Sequence, residues 1–296
     1  MEHVRVLAAE IGPRPAGSEG EARTAAYLQS VLSGLGYEVS LQPVRRPDGG
    51  VSSNLVARSP GADYSGGYLL VGGHYDTYGA IPGANDNASG TAVVLALATA
   101  LAGTAAPVEF AAFAAEERRP GSRRHHLGSE AYVAALPEAA PVQAMLSIDM
   151  VGVGSPLLVG CYRTAPADLR EEVARAARGV GVPVRTIVRG DVSDHVPFAR
   201  RGIPSAWLWS GEHPSFHKPM DTLEVVQPEA LDRAGRAALA WLEQRVPKLA
   251  SRGSIPSQSL CNGSSIGTGI GLAIARSVVE LDGPREREVV FHVFGE

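Results

Sequence analysis

The sequence predicts an α/β fold in which one sheet is covered by helices on both faces, and three observations carry that reading. Segments 68–71, 108–115, 144–148 and 205–209 are apolar without strict alternation, as expected of strands buried on both sides. Helix-length segments alternate with them, which argues for an α/β sheet rather than a sandwich. Acidic residues and histidines follow directly on several of these strands, where open α/β sheets carry their ligand sites.

Taken in order, Ser18-Glu19-Gly20-Glu21 has the spacing of a capping box, and the helix it opens runs to the stop Gly34-Leu35-Gly36. Segments 37–41 and 54–57 read as strands, with Pro47-Asp48-Gly49-Gly50 turning between them. Strand 68–71 leads straight into Gly72-Gly73-His74-Tyr75-Asp76-Thr77, and residues 87–101 form a helix before strand 108–115. Strand 144–148, a helix opened by Pro166 and strand 205–209 follow. A last long helix opens at Pro228 and places Leu231, Ala234, Ala238 and Leu242 on one apolar face. The pattern stops near Val246-Pro247, and 251–265 has the Ser/Gly-rich composition of a linker. The expected organisation is a folded domain over 1–250 and a linker with a tail over 251–296.

Several function classes drop out on composition. With a net charge of −4, the chain offers no broad basic surface, so neither nucleic acid nor an anionic membrane is an expected partner. The longest uncharged stretch, 87–108, is mostly Ala and Thr and is broken by Gly103 and Pro107; it reads as a buried helix followed by a strand, not a membrane span. Cys161 and Cys261 are too few for a disulfide framework. The opening residues show no apolar signal run, so the chain as written is expected to be cytoplasmic, or secreted if its start is truncated.

The chemistry gathers at the strand ends. His74 and Asp76 follow strand 68–71, Asp86 lies in the loop Gly83-Ala84-Asn85-Asp86-Asn87-Ala88-Ser89-Gly90, Glu116 and Glu117 close strand 108–115, Asp149 closes strand 144–148, and His217 lies in a loop after strand 205–209. Two imidazoles with several carboxylates and no thiolate suit one or two hydrolytic zinc ions, with cobalt or manganese as substitutes. A carboxylate has two oxygens and can bridge two ions; Asp86, in its glycine-flanked loop, is the natural candidate. Asp76, two residues from His74, can hold the other imidazole nitrogen. Glu116 and Glu117 divide into one ligand and one free base, because neighbours in an extended segment point to opposite sides.

The segments GGHYDT, PGANDNASG, FAAFAAEE, SIDMVG, SDHVPF and FHKPMDTLE resemble, in order, the motifs of the di-zinc aminopeptidase family, metallopeptidase family twenty-eight. The resemblance covers roughly residues 5–247. It implies a three-layer α/β/α fold with a central mixed, mostly parallel sheet. It also implies a metal-dependent exopeptidase acting on peptides with a free N-terminus, through a water bridging two zinc ions. Position by position, one ion falls to His74, Asp86 and Asp149 and the other to Asp86, Glu117 and His217, with Glu116 as general base and Asp76 orienting His74. Relatives with other functions supply the alternatives: a glutaminyl cyclase, a carboxypeptidase-like enzyme, or a binding homologue without catalysis. Glutaminyl cyclases of this fold use one zinc and lack the full ligand set, whereas this chain keeps all five positions.

Two positions depart from the family pattern. Phe216 stands where some aminopeptidases carry Tyr, and Val192 where some carry Arg. For Asp194 and His195 two roles stay open, contact with substrate or support of the loop. His125 and His126, in RRPGSRRHHLG, read as a solvated charged surface in a loop longer than its family counterpart, and His213 as a neighbour of the site. The segment Gly267 to Arg276 resembles the second glycine box of the histidine-kinase ATP-binding fold, but the rest of such a domain has no counterpart upstream. It reads as a fusion remnant or gene-boundary artefact, with a helix ending at Gly283-Pro284 and a strand over 288–294.

Overall fold

The computed structural model describes residues 1–118, 125–139 and 141–253. The chain opens with helix α1 (Glu2–Arg5), which continues as a wider π-helical turn over Val6–Ile11. Helix α2 (Glu19–Gly34) starts where the capping box places it, with Ser18 Oγ accepting the Glu21 N–H at 3.1 Å. Its glutamate reaches one residue further back than the standard box, accepting from the Gly17 N–H at 2.6 Å and from Ser52 Oγ at 2.8 Å. Strands β1 (Glu38–Arg45) and β2 (Val51–Arg58) form the expected hairpin, closed by a Gly49 N–H to Arg46 carbonyl bond of 3.0 Å.

Strand β3 (Tyr68–His74) runs three residues beyond the expected end. Its two glycines are there for close approach: a Cβ on Gly72 would press on the Ala111 carbonyl and one on Gly73 on the Ile148 carbonyl. Helix α3 (Gly90–Leu101) begins later than expected, after a wide turn over Ala84–Ser89 in which Asp86 and Asn87 are non-helical. Asn87 Oδ1 accepts the Gly90 N–H at 2.9 Å, so the residue expected inside the helix instead caps it. Strand β4 (Val108–Phe113), helix α4 (Leu127–Ala135), strands β5 (Val142–Ile148) and β6 (Leu157–Tyr162) and helix α5 (Asp168–Gly179) follow. Then come strand β7 (Val184–Arg189), the short helix α6 (His195–Arg200), strand β8 (Ser205–Trp209) and helix α7 (Pro228–Gly253). Helix α7 passes through Pro247 and continues three residues into the stretch expected to be a linker; the glycine box and the rest of the tail lie outside the described residues.

The eight strands form one sheet in the order β1-β2-β4-β3-β5-β8-β6-β7. Its centre, β4-β3-β5-β8, is parallel, while β2 pairs antiparallel with β4 and β6 antiparallel with β8, so the sheet is mixed as expected. Alternation along each strand divides the core. Leu69, Val71, Phe110, Leu146 and Leu208 pack with residues of α2, α3, α5 and α7; Tyr68, Leu70, Phe113 and Met145 pack with Tyr132 of α4 and Phe198 of α6. The parallel centre brings the C-terminal ends of β3, β4 and β5 side by side, and the residues following those ends build the site.

Candidate active site

His74 ends β3, and its carbonyl accepts from Thr91 Oγ1 at 3.0 Å and from Asn87 Nδ2 at 3.3 Å, which ties the strand end to the start of α3. Asp76 lies two residues on, with Oδ1 3.6 Å from His74 Nδ1. The same carboxylate accepts the backbone N–H groups of Glu116 at 3.0 Å and Glu117 at 3.2 Å, so one buried side chain faces the imidazole and pins the segment after β4. Ala115, Met150 and His217 adopt positive φ of 52°, 52° and 55°, each at or beside a site residue. Left-handed backbone costs a non-glycine residue about 1–2 kcal/mol, held here by the surrounding fold.

The loop carrying Asp86 is held from two sides. Asp221 accepts the N–H groups of Asn85 at 2.9 Å and Asp86 at 3.0 Å, while its own carbonyl accepts from Ala84. Opposite, the wholly buried Arg14 donates to the carbonyls of Tyr75, Leu7, Gly12, Pro82 and Gly83. Neither Asp221 nor Arg14 was assigned a role from sequence, although Asp221 lies in the last motif. A buried charge whose donors are backbone amides more than a hundred residues away leaves no local pattern.

These supports aim the side chains at one point. Asp86 Oδ1 lies 3.3 Å from His74 Nε2, and Asp86 Oδ2 lies 3.3 Å from His217 Nε2. Asp149 Oδ1 lies 3.4 Å from His74 Nε2, and the Glu117 carboxylate lies 3.1 Å from His217 Nε2. Ser193 Oγ donates to Asp149 Oδ2 at 2.7 Å and fixes that carboxylate. His217 is stacked on Tyr78, with ring centroids 4.1 Å apart, and on Phe216 at 3.8 Å.

The donor set fits divalent cations. Asp86 Oδ2 and Asp149 Oδ1 are buried with no hydrogen-bond donor aligned on them, a costly state for a carboxylate unless a cation meets it. The ligand atoms of His74, Asp86 and Asp149, and those of Asp86, Glu117 and His217, each lie within 4.8 Å of one another, and Asp86 belongs to both sets. Electrostatics report the same crowding of negative charge. Burial disfavours the His74 and His217 imidazolium ions, yet the facing carboxylates outweigh it, raising His74 well above the ordinary value and His217 to about 10. Burial and the nearby Asp86 push Glu117 well above the usual carboxylate range. Glu116, also buried, is held below it chiefly by the charge of His126.

His126 is where the structure departs furthest from expectation. It is not part of a solvated surface: it is 1% exposed, and its Nδ1 lies 2.6 Å from Glu116 Oε1. Its neighbour His125 lies 3.3 Å from Asp191. Glu116, His125 and His126 also present clustered ligand atoms, but Arg118 stands 3.3 Å from His125 Nε2 and opposes a cation there. His213 binds Ser215 Oγ at 2.8 Å, and the departing residues Phe216 and Val192 are both exposed.

Asp194 and His195 support the loop. Both are fully buried, Asp194 accepting from Ser129 Oγ at 2.6 Å and His195 lying flat on Trp207. Burial pushes His195 down to about 3, so the fold holds it neutral. Because its folded pKa lies below the unfolded value of 6.5, its contribution to stability is present above pH 6.5 and is lost as pH falls toward 3. The loss is about 1.4 kcal/mol per pH unit. His195→Phe, which keeps the stacked ring, is expected to show a shallower decline of unfolding free energy from pH 6.5 to 5. Parallel curves for variant and parent would show that His195 is not held neutral.

Fold and site together define a metallopeptidase architecture of the α/β type. Residues 54–242 match the model of Peptidase family M28, and the chain belongs to that family. It is 33% identical to aminopeptidase YwaD of Bacillus subtilis (strain 168) over 212 residues, 67% of this chain and 45% of that protein. It is 31% identical to leupeptin-inactivating enzyme 1 of Streptomyces exfoliatus over 249 residues, 75% of this chain and 55% of that one. The chain thus spans about half the length of these curated relatives. In fold it is similar to a zinc aminopeptidase from Bacillus subtilis, with a TM-score of 0.74 at 20% identity over 83% of this chain and 93% of the other. It is equally similar to a glutaminyl cyclase from Porphyromonas gingivalis, at 0.73, 21%, 83% and 96%. Among the described residues, no helix is long and apolar enough to cross a membrane.

Proposed function

We propose that this chain is a zinc-dependent exopeptidase that removes residues from the free N-terminus of peptides. One observation carries the reading: the two oxygens of Asp86 face two different imidazoles, His74 and His217, each backed by a further carboxylate. His74, Asp86 and Asp149 would hold one zinc ion, and Asp86, Glu117 and His217 the other, with cobalt or manganese as substitutes of the same charge. Bound there, the ions would supply Lewis acidity, making a water more acidic and a peptide carbonyl more electrophilic.

The chain's own residues do the rest. Glu116 accepts a proton from the attacking water and returns it to the departing amine nitrogen as the C–N bond breaks. Asp76 faces His74 Nδ1 and would orient the ring, leaving Nε2 turned to the site. Phe216 carries no hydroxyl, so oxyanion stabilisation by a tyrosine at that position is absent here.

Incubating the zinc-loaded protein with free and N-acetylated peptides, with and without chelator, tests the reading by mass spectrometry. Stepwise N-terminal loss from free peptides alone, abolished by chelator, is expected. C-terminal trimming would place the chain with the carboxypeptidases, and loss of ammonia from N-terminal Gln with the cyclases. No chemistry with zinc bound would make it a binding homologue.

A further inference from the structure

Glu116 lies within ion-pair distance of a residue outside the two ligand sets. The His126 N–H donates to the Glu116 carbonyl at 2.9 Å, and the His126 ring approaches the same residue's side chain, with Nδ1 2.6 Å from Oε1. The opposite ring nitrogen, Nε2, lies 3.4 Å from Asp191 Oδ1, and Arg200 donates to Asp191 Oδ2 at 2.8 Å. A chain of alternating charge therefore runs from a half-exposed arginine inward to a buried carboxylate. His126 stands at positive φ, 58°, immediately before α4, so the backbone also commits it to this direction.

We propose that His126 is a positioning residue for Glu116, an imidazole that fixes one oxygen of the base and is itself fixed by Asp191. This rests on the reading of Glu116 as the general base. With Oε1 facing His126, Oε2 is the oxygen left to exchange a proton with the reacting groups. A carboxylate free to rotate would spend much of its time with neither oxygen aligned, and misplacement of a base costs rate rather than substrate affinity. Burial raises the stakes, because an ionised carboxylate at this depth needs a cationic or hydrogen-bonding partner. Asp191 and Arg200 extend the support to the surface as a carboxylate extends that of a catalytic imidazole, here one step further out.

The two ring nitrogens have different duties, and isosteric amides separate them. The amide nitrogen of Asn sits where Nδ1 does, and that of Gln where Nε2 does. His126→Ala is expected to lower kcat about 10- to 100-fold with KM changed less than threefold, a loss typical of removing the group that orients a functional side chain. His126→Asn should restore most of that loss, and His126→Gln should not. In the chelator-treated protein, melting-temperature losses of His126→Ala and Glu116→Gln should be non-additive in the double variant, as for residues in direct contact. Equal rates for the Ala and Asn variants, or additive losses, would overturn the assignment. If Glu116→Gln itself leaves kcat unchanged, the base reading fails; if Glu116→Gln is inactive while His126→Ala is fully active, only the role of His126 does.

Discussion

Replacing Asp86 by Ala is expected to lower kcat/KM by roughly 10⁴-fold and to leave the protein unable to retain two zinc ions, read by elemental analysis after dialysis. The size follows from losing a group worth several kcal/mol of charge stabilisation, where about 1.4 kcal/mol is one decade of rate. Its two oxygens face the two imidazoles, one each, at 3.3 Å. The loss should also be local. The backbone at 84–86 is held by Asp221 and the turn before it by Arg14, neither of which depends on the Asp86 carboxylate. Retention of two ions per chain with near-parental activity would remove Asp86 from its shared position. The imidazoles it faces are raised in pKa by the surrounding carboxylates, so cation binding should release protons, and that release should shrink in the variant.

Glu116→Gln is the second large effect and differs in kind. Activity should fall 10²- to 10⁴-fold in kcat, the range for a general base, while zinc stoichiometry stays at the parental value. The separation from its neighbour is structural. Glu117 lies against His217, whereas Glu116 is turned to His126, although their backbone amides share one acceptor in Asp76. Adjacent residues after a strand diverge because successive side chains leave on opposite sides. Loss of zinc in the Gln variant would make Glu116 a ligand and reverse the two roles.

The residues brought together at the site were legible because their chemistry is unusual where it occurs. Carboxylates and imidazoles directly after buried apolar strands have few structural reasons to be there. Strand β8 was legible to the residue because a turn and a polar loop bound its apolar run. Other elements carry no such local pattern. Strand β7 is an edge that exposes Arg185, Val188 and Arg189 without alternation, and β6 is interrupted by Gly160, whose bare Cα lets Trp207 lie against it. Helix α6 has six residues with Pro197 inside, too short for a helical period to register. In β3, glycines that usually weaken a strand are required because carbonyls of both neighbouring strands crowd them. His126 departs from expectation because its arginine-rich context signals solvent, while its neighbours in the fold, Glu116 and Asp191, are set by tertiary packing.

Arg14 bears on where this unit can be cut. The stretch shared with the family begins at residue 54, yet a guanidinium forty residues earlier clasps the turn that leads to Asp86. Its remaining bonds reach the opening segment itself, at Leu7 and Gly12. The bonds that support the Asp86 turn therefore extend beyond the stretch that matches the family. A fragment trimmed to that signature would keep every proposed ligand and surrender the clamp on the turn before Asp86.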